Sequence, residues 1–195
     1  EDLAEAQAFA NRIQRVFLAD GDALIVPQKK LIEILKMFHR TLPKVERIGV
    51  YGNAKSILKK SPDDLAELKA LGLEMVYIGL ESGNDDILKH VHKGDSVDKM
   101  VAAAQRIHEA EIVLSVTVIL GLGGKDLSRI HAVDTGKVLS RMDPEFAAAL
   151  SLMLVPPASL CTEYENGMFE LPTPFEMLEE LENIIANMEV THCFF

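Results

Sequence analysis

Short apolar segments suited to β-strands alternate with segments of helical periodicity along the whole chain, and this alternation restricts the fold more than any other feature. Strand onsets are expected near residues 15, 46, 74, 112, 146 and 190, with strands over 15–20, 46–51, 74–80, 112–119, 146–153 and the last six residues. Residues 112–119 (IVLSVTVI) are the clearest, being β-branched, apolar and too short for a buried helix. Between them, apolar residues at helical spacing predict helices over 2–14, 28–41, 61–71, 96–110, 127–141 and 174–188. Ser61-Pro62 starts one of these well, because proline is tolerated just inside a cap, and Gly72 ends it. One strand plus one helix per repeat implies parallel strands joined by crossover helices, an α/β fold.

Two architectures satisfy that pattern, a partial TIM-type barrel and an open doubly wound sheet. The polar residues favour the barrel. Strands hand over to loops through Asp20-Gly21-Asp22, Tyr51-Gly52-Asn53, Glu81-Ser82-Gly83, Gly121-Leu122-Gly123-Gly124 and Val155-Pro156-Pro157. An open sheet concentrates ligand chemistry at one switch point, whereas a barrel spreads it over many strand ends. Parity agrees, since Tyr77, Gly79 and Glu81 share one strand face, as do Ser115 and Thr117. Residues 1–195 are expected to form a single domain.

A formal charge of -10, without a dense Lys/Arg run, argues against nucleic acid or an anionic membrane as partner. No apolar run reaches membrane-spanning length, and the acidic, amphipathic start is unlike a signal peptide, so a cytoplasmic location is expected. The two cysteines, Cys161 and Cys193, make no disulfide framework.

Several strand-end groups could carry chemistry. Asp20-Gly21-Asp22 could bind an ammonium group or a metal, or its carboxylates could simply satisfy backbone N–H groups of a turn. Glu81 could accept both hydroxyls of a ribose, or cap the next helix, a task open equally to Ser82 or Asn84. Gly121-Leu122-Gly123-Gly124 resembles a phosphate-cradling turn, or marks close backbone packing. The six histidines have no zinc spacing, and His90 and His92 read as a solvated loop.

Taken together, FLADGDALIVP, YGNAKSIL, YIGLESGNDDILKHVHKG and LSVTVILGLGG resemble radical S-adenosylmethionine enzymes, over about residues 10–160. The resemblance implies a partial barrel of six βα units and a four-iron, four-sulfur cluster held by a C-x-x-x-C-x-x-C loop after the first strand. It implies reductive cleavage of S-adenosylmethionine to a 5′-deoxyadenosyl radical that acts on a small-molecule or other substrate, with an electron donor as partner. By the same resemblance, Asp20, Gly21 and Asp22 meet the methionine ammonium, Asn53 lies at the end of the following strand, and Glu81 meets the ribose. Ser115 or Thr117 reaches the ribose or the methionine carboxylate, Gly121 and Gly123 seat the adenine, and backbone near Val155 packs on it.

The chain departs from the family in having no cysteine triplet. It is therefore expected to be a fragment, running from the second strand of the barrel into the seventh, that neither holds the cluster nor catalyses the reaction. The Val16–Asp20 edge would then be unpaired and open to self-association. Two other readings remain: a metal-dependent lyase or aldolase barrel using Asp20, Asp22 and Glu81, and a nucleotide-binding module without a cluster.

Overall fold

A computed structural model describes residues 5–195. Five strands form one sheet: β1 (Arg15–Asp22), β2 (Arg47–Tyr51), β3 (Leu73–Glu81), β4 (Val113–Leu120) and β5 (Phe146–Ser151). Their order is sequential, β1-β2-β3-β4-β5, and β1/β2 and β2/β3 pair in parallel. A doubly wound sheet reverses its order at a switch point, and no reversal occurs here. The α/β reading and the barrel-type strand order both hold.

The helices are α1 (Gln28–Thr41), α2 (Ala54–Lys59), α3 (Pro62–Ala70), α4 (Asp85–His90), α5 (Val97–Glu109), α6 (Gly124–Met142), α7 (Ser159–Glu165) and α8 (Pro174–Ala186). The structure divides into two compact units, Glu1–Ile78 with Ala102–Ser115, and Gly79–Val101 with Val116–Phe195.

In the first unit, α1 turns Leu31 and Leu35 inward, and both are fully buried with Ile48, Val50, Ile57, Leu65 and Leu68. Each such side chain contributes about 1.5–3 kcal/mol through removal from water. On the other face of the strands, Phe17, Tyr51 and Tyr77 meet edge to face, with centroids 4.7, 5.3 and 5.9 Å apart. Gly49 makes room for them, since a Cβ there would lie 3.0 Å from the Phe17 ring.

In the second unit, Ile87, Leu122 and Leu160 form a buried cluster against Val91, Ile119, Leu152, Leu154 and Phe169. The helix α8 packs on α6. Its start is a capping box: Thr173 Oγ1 accepts from Glu176 N–H, and the Glu176 carboxylate accepts from Thr173 N–H at 2.6 Å. Gly136 on α6 lets the two helices approach, since a Cβ there would lie 2.5 Å from the Ile184 carbonyl oxygen.

Four expectations need correction. The first strand runs two residues further than 15–20, through Asp20 and Gly21, which both have positive φ (65° and 88°), and its register against β2 slips between Leu18 and Asp22. Of the helix expected over 2–14, residues 1–4 lie outside the described residues, and Gln7–Phe9 is a 3-10 turn. The strand expected over the last six residues is a single parallel bridge, Phe146 to Phe194. The segments after β2, β3 and β5 contain three helices of six or seven residues (α2, α4 and α7) that periodicity did not predict.

Candidate functional site

The strand ends place the expected residues in each unit by local chemistry. In the first unit, the left-handed Asp20 and Gly21 turn the chain so that Asp22 caps the 3-10 turn Ala23–Ile25, with Oδ1 accepting from Leu24 N–H at 3.2 Å. The same oxygen accepts from the Ser56 hydroxyl at 2.8 Å. Asn53 Oδ1 accepts from Ser56 N–H at 2.8 Å and so caps α2. Ser56 thus joins two of the candidate residues, Asp22 and Asn53.

The other Asp22 oxygen, Oδ2, is buried and has no hydrogen-bond partner. A buried carboxylate oxygen without a donor costs free energy. Asp22 therefore caps the turn with one oxygen and leaves the other, enclosed by protein, without a donor. Lys60 is also buried in this unit, donating to the Val26 carbonyl and to Gln28 Oε1, both at 3.3 Å. Burial lowers its pKa, while the charges of Asp64 and Asp22 oppose that shift. Asp20 is exposed.

On β4, Leu114, Val116, Val118 and Leu120 are buried on one face, while Ser115 and Thr117 share the opposite face. Ser115 is buried and Thr117 half-buried.

In the second unit, Glu81 ends β3 with φ 61°. It does not cap the next helix. Asn84 does, its Oδ1 accepting from Asp86 and Ile87 N–H. The Glu81 carboxylate lies over Gly79, where an added Cβ would collide with it, and pairs with Lys93 Nζ at 2.7 Å. Both groups remain about a fifth exposed, 21% for Glu81 and 24% for Lys93, so the pair can still meet a ligand. His90 is less free than a solvated loop suggests, since its Nε2 lies 2.7 Å from Glu163 Oε2.

Gly121 has φ 81° and Gly124 φ 62°, values that favour glycine. The Gly121 N–H is not open to a phosphate, because it donates to the Glu180 carboxylate at 2.6 Å. The phosphate-cradle reading of this turn therefore loses the Gly121 N–H. Gly123 shows the close packing alternative, with Ile87 and His131 each 3.2 Å from an added Cβ. Val155 is exposed, and its carbonyl accepts from Ala158 N–H at 3.0 Å.

Sequence reasoning missed Lys93, His131 and Glu180. His131 and Glu180 are fully buried side chains, with Nε2 and Oε1 3.5 Å apart. The available signal was an acid within the apolar stripe Met177, Glu180, Ile184 of α8. Among the described residues, no three His, Cys, Asp or Glu side chains come together as metal ligands. Likewise, no helix among them is long and apolar enough to cross a membrane.

A model of the radical SAM superfamily matches residues 1–134. The chain belongs to that superfamily. Among curated proteins, the heme chaperone HemW of Bacillus subtilis (strain 168) is 24% identical over 186 residues, which are 91% of this chain and 46% of that protein. The chain thus spans about half the length of the curated relative it matches. Among solved structures, coproporphyrinogen III oxidase (HemN) from Escherichia coli, a radical SAM enzyme, superposes with a TM-score of 0.73 at 14% identity, over 95% of this chain and 42% of that one. The archaeal Methanocaldococcus infernus Elp3 gives 0.71 at 12% identity, over 98% and 50%. These likenesses establish a radical SAM fold for the five-stranded sheet.

The family's cluster needs three clustered thiolates. This chain does not fit it. Cys161 is buried in α7 with Sγ 3.9 Å from Glu165 Oε1, and burial raises the pKa of the Cys193 thiol.

Proposed function

We propose that this chain supplies S-adenosylmethionine-binding residues of a radical SAM oxidoreductase and, by itself, does not catalyse the reaction. The cluster, when a radical SAM protein carries one, supplies the electron that cleaves the cofactor, and the cysteines here do not hold it. The reading rests chiefly on the buried, unpaired Oδ2 of Asp22. An ammonium group satisfies such an oxygen with a charge-assisted hydrogen bond, the stronger kind. In the second unit, Glu81 accepts ribose hydroxyls, oriented by Lys93 and given room by Gly79. Ser115 and Thr117 offer hydroxyls to the ribose or methionine carboxylate. Gly123 and Val155 offer backbone to the adenine, and the Gly121 turn, its N–H held by Glu180, offers only a packing surface.

Calorimetric titration with S-adenosylhomocysteine and with 5′-deoxyadenosine tests this reading. Asp22→Asn keeps an oxygen for Leu24 and Ser56 but replaces the open acceptor. It should weaken S-adenosylhomocysteine about tenfold, the loss of one hydrogen bond between charged groups, and leave 5′-deoxyadenosine unchanged. Glu81→Ala should weaken both ligands. Equal loss of both ligands in Asp22→Asn would sink the ammonium assignment. Tight binding by the unaltered chain would favour the alternative of a nucleotide-binding module without a cluster.

We also propose that β1, the end strand of the sheet, pairs with a second copy of the chain. A groove of about 430 Å³ beside it, lined by Ile13, Val16, Phe17, Leu18 and Phe38, supports this. Sedimentation at rising protein concentration should show a monomer–dimer equilibrium, and a monomer at every concentration would refute it.

A further inference from the structure

Behind the residues proposed to meet the nucleoside, the second unit buries a polar chain that the ligand itself does not touch. Glu180, His131, Ser82 and Thr135 are all at most 2% exposed. His131 Nε2 faces only acceptors, the Ile119 carbonyl at 3.1 Å and Glu180 Oε1 at 3.5 Å, so this nitrogen carries the proton. Nδ1 is then an acceptor and takes the Ser82 hydroxyl at 2.8 Å, while Ser82 Oγ accepts from Asn84 N–H at 3.1 Å. Glu180 completes the chain. Its Oε1 accepts from Gly121 N–H at 2.6 Å, and its Oε2 from the Ser128 hydroxyl at 2.5 Å.

The chain therefore runs from the residue that follows Glu81 to the glycine turn after β4. A leucine at position 180 would continue the apolar stripe between Met177 and Ile184 without the desolvation cost of a buried carboxylate. What the carboxylate adds is a fixed partner for one backbone amide, in a turn whose φ of 81° is unusual.

We propose that Glu180 and His131 are positioning residues, which hold the Glu81 end of β3 and the Gly121 turn in the register that a nucleoside requires. This inference rests on the nucleoside reading given above. Glu180 acts on Gly121 directly, and His131 acts through Ser82. Neither touches the ligand.

The test uses the 195-residue chain. Glu180→Leu removes the acceptor and keeps the packing, and Glu180→Gln keeps an oxygen for Gly121. Calorimetry should show about tenfold weaker binding of 5′-deoxyadenosine to Glu180→Leu, with near-complete rescue in Glu180→Gln. A folded Glu180→Leu chain that binds as tightly as the unaltered one overturns the inference. Nuclear magnetic resonance of the unaltered chain gives a readout that needs no variant. The Gly121 amide proton should lie far downfield, as expected for a short bond to a carboxylate, and should shift during titration with 5′-deoxyadenosine. An ordinary, unresponsive Gly121 amide overturns the inference even if Glu180→Leu fails to fold. If the unaltered chain binds no 5′-deoxyadenosine, the nucleoside reading fails and takes this inference with it. If it binds and only the Glu180 results are negative, the nucleoside reading stands.

Discussion

Replacing Gly83 by alanine is expected to destabilise the second unit by about 3 kcal/mol, the upper range for overpacking a tight site. An added Cβ would lie 2.4 Å from the Asp134 carbonyl oxygen and 2.5 Å from the Asp134 carbonyl carbon and Thr135 Cα. All three atoms are backbone of α6, so no side chain can swing aside. Relief requires α6 to move away from the β3 end, and three contacts go with it. Gly83 N–H donates to Thr135 Oγ1 at 2.9 Å, Asn84 Nδ2 to Asp134 Oδ2 at 2.8 Å, and Ser82 Oγ meets His131 Nδ1 at 2.8 Å. Gly94→Ala is the useful comparison. Its φ is 79° with open space around the Cβ, so it carries only the conformational cost of about 1–2 kcal/mol. Urea unfolding measures both, and a Gly83→Ala chain within 1 kcal/mol of the unaltered protein would contradict the close approach.

Stability should also fall as the pH drops below the ordinary histidine value of about 6.5. Burial lowers the pKa of His131, and the charges of Glu180 and Asp134 and the bond to the Ile119 carbonyl only partly offset this. The unfolded chain then takes up a proton near pH 6.5 that the folded chain refuses. Protons bound preferentially to the unfolded state reduce stability as they become available, with a slope of up to about 1.4 kcal/mol per pH unit for one group. The loss ends where the folded His131 itself titrates. Carboxylates act in a separate window. The Ser61 and Thr173 backbone N–H groups hold the pKa values of Asp64 and Glu176 low, so their contribution is present above the usual carboxylate range and disappears only in more acidic solution. Urea midpoints between about pH 5.5 and 7.5 isolate the histidine effect. In His131→Gln, which can still donate to Ile119 and accept from Ser82, the slope over this range should flatten. An equally steep slope in both proteins would assign the effect to another group.

The parts of this structure that the sequence revealed are those with strong local pattern. Residues 113–120 are a largely buried, β-branched run, and α1 carries Leu31 and Leu35 one turn apart. The strand-end positions of Asp22, Glu81 and Gly121 followed from the same pattern. The short helices did not, since six or seven residues hold too little periodicity, although their caps Asn53 and Asn84 were visible at the strand ends. Long-range pairings were equally hidden. Ser82 and His131 are 49 positions apart, and Gly121 and Glu180 are 59, so no local window contains both partners. The final segment misled because Val190 to Phe195 has strand-like composition, yet strand structure depends on a partner along its length, and only Phe194 has one.

The aromatic contact around Gly49 gives the molecule an optical property of its own. The chain has no tryptophan and three tyrosines, so its emission on excitation beyond the phenylalanine absorption band comes from tyrosine alone. Two of those emitters, Tyr51 and Tyr77, stand 5.9 Å apart in the first unit, close enough for excitation to hop between rings and lose its polarisation. The third, Tyr164, belongs to the second unit. Loss of the Tyr51–Tyr77 contact would restore polarised emission, so light of one wavelength reports the loosening of one half of the protein without any attached dye.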